Sequence, residues 1–168
     1  MRLKYILTPM IIIMMNVLLL TGCGSNEELE TYKTNMEQFF DNAAYYDSAL
    51  NSIDPYSDTV ISQLFTLLDS METTFAQMAQ LPVPKEFPGV DQLADEASEY
   101  MSEAVRLYHE AYEAEPFNEA VHEAALENYT RANLRLQYII SILHGEIPEG
   151  IYTYEDMAED ASEPEPEE

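Results

Sequence analysis

Eight side chains between Leu29 and Ile53 recur at alternating steps of three and four: Leu29, Tyr32, Met36, Phe39, Ala43, Tyr46, Leu50 and Ile53. At 3.6 residues per turn such a set falls on one stripe, so the spacing predicts an amphipathic helix and argues against a strand, whose side chains alternate with period two. Three more stretches share the spacing. The second carries Ile61, Leu64, Leu68, Met71, Phe75 and Met78. The third carries Val90, Leu93, Ala97, Tyr100, Ala104, Leu107, Ala111 and Ala114, with Met101, Val105, Tyr108 and Tyr112 alongside. The fourth carries Ala125, Tyr129, Ala132, Leu136, Ile139 and Leu143.

Prolines punctuate these stretches. Asp54-Pro55 suits a helix start, with Asp as N-cap and Pro in the first turn. Leu81-Pro82-Val83-Pro84 makes a stiff extended join that runs to Pro88-Gly89, and Glu115-Pro116 ends the third stretch. His144-Gly145, with Pro148 beyond, closes the fourth, Gly145 taking the left-handed position after the helix. Ser25 and Glu28 fit a capping box at the first start. Short joins make neighbours antiparallel, so the expected fold is all-α, an antiparallel up-down four-helix bundle over residues 27–145. The alternative is two helical hairpins loosely joined at the proline loop.

Residues 1–22 have a different character. Arg2 and Lys4 precede an apolar run from Ile6 to Leu20, about 15 residues where a helical bilayer span takes roughly 20. This is the plan of a cleaved export signal. The run ends in Leu20-Thr21-Gly22-Cys23, and Cys23 is the one cysteine of the chain. The segment resembles the lipobox of bacterial lipoprotein signal peptides. The resemblance covers residues 1–23 only. It implies a covalent diacylglycerol on the Cys23 thiol, peptidase cleavage between Gly22 and Cys23, a lipidated linker at 23–26, and a protein held on the bacterial cell membrane, facing outside the cytoplasm. Two acyl chains give the stable anchorage that one cannot.

Charge narrows the partners. The whole chain has 7 Lys+Arg against 32 Asp+Glu. A surface this acidic excludes a conventional nucleic-acid binder, which must neutralise phosphates. Anionic lipid would repel it, whereas a basic protein would be steered towards it. Residues 146–168 are expected to form an acidic disordered tail, because the last 14 residues hold eight acids and few apolar groups. The start of that segment offers Ile147, Ile151, Tyr152 and Tyr154 for loose packing.

Little points to chemistry. A di-metal carboxylate bundle needs two Glu-x-x-His motifs. Glu119-Ala120-Val121-His122 supplies one; His109 and His144 have Arg106 and Ser141 three residues before them. No Gly-x-Ser-x-Gly elbow exists, and Tyr108, His109 and Glu110 point three ways from one helix. No catalytic or metal residue is assigned. Tyr45, Tyr46, Tyr100, Tyr108, Tyr112, Tyr129 and Tyr138 either line a groove or fill the core with hydroxyls at its edge. The second helix has only Asp58, Asp69 and Glu72 as charges, and places Ser62, Gln63, Thr66, Ser70, Thr73, Thr74 and Gln77 outside, a low-charge face that either docks a partner or is a neutral solvated face. The third carries Asp91, Asp95, Glu96, Glu99, Glu103, Glu110 and Glu113. The expected function is a non-enzymatic interaction module for an envelope or extracellular protein. A small-ligand or divalent-cation module is the alternative, and an enzyme the third reading.

Overall fold

A computed structural model describes residues 27–146 and Pro148. The leader, Cys23 with its linker, the Ser25 cap and nearly all of the acidic tail lie outside the described residues. Four helices follow one another: α1 (Glu27–Asn51), α2 (Val60–Ala79), α3 (Val90–Glu113) and α4 (Glu119–Leu143). Cross-helix pairs run in opposite sequence directions. Phe65 and Glu72 on α2 meet His109 and Ser102 on α3, and Glu96 and Tyr112 on α3 meet Arg135 and His122 on α4. The fold is an antiparallel up-down four-helix bundle. These α2–α3 contacts exclude two loosely joined hairpins.

Helix α3 is the centre of the packing, against α2 on one side and α4 on the other. Ala97, Ala104 and Ala111 on α3 and Ala125 and Ala132 on α4 are fully buried, so these two backbones approach most closely. Large side chains keep α1 and α4 further apart. Phe40 and Tyr129 are buried on these two helices, and Asp47 of α1 lies near Tyr129 of α4. On α1 the buried residues are Tyr32, Met36, Phe39 and Phe40, none beyond Phe40. Ala43, Tyr46, Leu50 and Ile53 only lean on the core. The sequence stripe is therefore real but unevenly used.

The helix ends correct two expectations. Helix α2 starts at Val60, not at Asp54-Pro55. The Asp54 carboxylate accepts instead from the Tyr56 N–H two residues on (2.9 Å), and Ser57 N–H donates to Asp54 O, a local turn that competes with helix initiation. Thr59 occupies the N-cap position without a side-chain bond. At the start of α4, Asn118 accepts from Val121 N–H (3.2 Å), a cap the proline break does not reveal. The end of α4 is as expected. Gly145 has φ 80°, its N–H reaches Ile142 O, and Glu146 N–H reaches Ser141 O. Both bonds belong to a Schellman stop, and glycine takes that φ without steric cost.

Candidate functional site

One end of the bundle gathers His109, His122 and several aromatic side chains. It is formed by the end of α1, the 52–59 turn, the start of α2, the end of α3, the 114–118 turn and the start of α4. His109 stacks on Phe65 at 3.9 Å between ring centroids, and its Nε2 lies 2.8 Å from Asp69 Oδ1. His122 is surrounded by the rings of Tyr108, Tyr112 and Phe117, each 5.6–5.7 Å away. The Tyr112 hydroxyl is buried without a hydrogen-bond partner, and burial pushes it up to about 12. His122 is thus packed among aromatic rings. No three His, Cys, Asp or Glu side chains converge on a metal-sized position among the described residues.

Burial among rings holds the His122 imidazole below its ordinary value of 6.5, with Glu123 and Glu119 partly opposing. In the unfolded chain the imidazole titrates near the ordinary value, so between the two values the unfolded state binds more protons. Stability is therefore expected to fall as pH drops through 6.5 towards the folded value, and to be flat in this respect above about pH 7. Asp47, raised by burial, acts in the opposite sense. Urea titrations of the parent and His122→Phe at pH 7.5 and 5.5 separate the two. The parent should lose more on acidification; equal losses would show that His122 contributes nothing.

A charged pair that periodicity did not flag lies mid-bundle. Glu96, grouped above with the exposed acids of the third helix, is 2% exposed, and Arg135 on α4 is 9% exposed. Arg135 Nε donates to Glu96 Oε2 at 2.5 Å, and its guanidinium lies 5.4 Å from the Tyr100 ring. Arg131 also lies over that ring, 5.7 Å from its centroid, and pairs with Glu127. A signal was present. Glu96 is three after Leu93 and four before Tyr100, and Arg135 is three after Ala132 and four before Ile139, so both fall on the apolar stripes.

The sequence-based candidates separate as follows. The outer face of α2 is indeed low in charge, with one correction: Thr74 is buried. Its hydroxyl donates to Ser70 O, and Thr66, Ser70 and Thr73 likewise donate to carbonyls four residues back. The tyrosines form no common groove. Tyr108 and Tyr129 are in the core, Tyr46, Tyr100, Tyr112 and Tyr138 are half-buried at different heights, and Tyr45 is exposed. Tyr108, His109 and Glu110 do diverge: core, the α2 seam, and Arg106 in solvent.

Carboxylates dominate the surface. Residues 27–146 hold five Lys and Arg against 23 Asp and Glu. Lys33, Arg106, Arg131 and Arg135 are each engaged by carboxylates of the same chain. The hydrogen-bonded Arg106 holds Glu103 below the usual carboxylate range. At the end opposite His109 and His122, an open cleft of about 460 Å³ lies between the first turns of α1 and Pro82–Pro84. Tyr32 and Asn35 line it, with Glu27 and Glu28 beside them. Among the described residues no helix is long and apolar enough to cross a membrane. No family model, curated protein or solved structure matches the chain.

Proposed function

We propose that this chain is a bacterial lipoprotein, anchored through a diacylglyceryl thioether on Cys23. In this reading its acidic bundle is a non-enzymatic module that binds another protein at the cell envelope. The observation that carries it is one of placement: α1 begins at Glu27, four residues after the Leu20-Thr21-Gly22-Cys23 sequence. A lipid on Cys23 would set the folded body directly at the bilayer surface. The internally engaged cations support the rest, since they leave a negative field that steers basic partners and keeps the body off anionic lipid.

Expression of the full chain in a bacterial host with labelled palmitate tests the anchor. The parent should incorporate label and begin at residue 23 by mass spectrometry. Cys23→Ser should incorporate none and retain residues 1–22. A parent protein with a free thiol and an intact leader would refute the anchoring.

A further inference from the structure

The exposed large apolar side chains are unevenly distributed. Among the described residues they are Tyr45, Tyr56, Phe117, Leu126 and Leu134. Leu134 apart, all lie at the end that holds the 52–59 and 114–118 turns. Tyr56 is 84% exposed and Phe117 is 47% exposed. Phe117 is backed by Tyr112 and His122 at 5.0 and 5.6 Å, so its free face rests on a packed aromatic base rather than a loose loop.

Charge is as uneven. Residues 41–65 and 107–126 form this end, and they contain nine carboxylates and no Lys or Arg. Asp54, Asp58, Glu113, Glu115, Glu119 and Glu123 are exposed around the turns. The nearest cation, Arg106, is held by Glu103 and Glu110. Lys85, which forms no ion pair among the described residues, sits on the proline loop at the other end. Apolar anchors ringed by uncompensated carboxylates match one kind of surface: basic side chains interspersed with aromatic or aliphatic ones.

We propose that this end of the bundle is the docking surface, and that its occupant is a basic protein segment bearing aromatic or aliphatic side chains between its lysines and arginines. The anchors fill against Tyr56, Phe117 and Leu126 while the cations meet the rim. The proposal deepens the interaction-module reading and rests on it, but not on the Cys23 anchor. If that anchor is present, the surface is the part of the bundle furthest from the bilayer, about 35–40 Å along α1.

The test uses the full chain in phosphatidylcholine vesicles and a synthetic 12-residue peptide of alternating Lys and Leu that carries one photoreactive phenylalanine. Vesicles without protein give the background. Cross-links should map to residues 45–60 and 112–126. Binding should weaken at least about tenfold when Tyr56→Ser and Phe117→Ser are combined, and about as much when the peptide leucines become serines. Tyr56 is largely in solvent and Phe117 is about half exposed, and unchanged helical circular dichroism would confirm an intact fold. A second variant, Asp58→Asn with Glu115→Gln and Glu119→Gln, should weaken binding and flatten its salt dependence. Cross-links along Asp91, Asp95 and Glu99 instead would overturn the proposed surface while leaving the module reading in place. No saturable binding would overturn the surface as well, and would count against a basic partner anywhere on the bundle.

Discussion

Arg135→Met is expected to lower the stability of the bundle by about 3–5 kcal/mol, the usual cost of removing one member of a buried ion pair. The substitution keeps most of the volume and the stem packing. What it removes is the guanidinium that donates to Glu96 Oε2, in a place where the carboxylate is 2% exposed. Gln92 Nε2 stands 3.5 Å from Glu96 Oε1 and is too distant to replace it. The Tyr100 ring also loses one of the two cations that lie over it. Adding Glu96→Leu should restore most of the loss, because an apolar pair of similar volume meets no desolvation cost. Urea titrations of the four proteins in a double-mutant cycle measure both effects. A single-variant loss under about 1 kcal/mol would mean that the pair is solvated and unimportant.

Phe75→Ala is the second large effect, again about 3–5 kcal/mol. Phe75 is 1% exposed and meets Phe39 of α1 edge-to-face at 5.3 Å. The lost transfer energy is joined by a cavity between α1 and α2, which Met36, Met71 and Met78 nearby can only partly refill. Phe65→Ala, half-buried at the start of α2, should cost clearly less. The urea midpoint should shift with an unchanged slope if α1 stays docked. A shallower slope would indicate that α1 has come away before the rest unfolds.

Number and order of helices were legible because each apolar stripe is long and the breaks contain proline. The start of α2 was not, since Asp54-Pro55 reads equally as a cap or as a free-standing turn. Only the hydrogen bond from Tyr56 N–H decides between them. Thr74 and Glu96 were misplaced for a shared reason, and Arg135 was passed over. Polar side chains were assigned to the solvent by type, although their spacing placed them on the core face. A carboxylate on a stripe is informative when another helix offers a cation at matching height, and pairing of heights is a tertiary property. The proposed docking end was harder still. Tyr45, Tyr56, Phe117 and Leu126 lie far apart in sequence, and the antiparallel path brings their turns and helix ends to one side of the molecule. The low-charge face of α2, which looked more promising, uses its hydroxyl protons on its own backbone.

The uneven burial of α1 has a mechanical consequence. With Cys23 in a bilayer and a partner at the opposite end, tension would enter at Glu27 and run along the bundle axis. The grip of Tyr32, Met36, Phe39 and Phe40 lies within four turns of that entry point. Load would be shed into the core before it reached residues 41–51, whose side chains only lean on it.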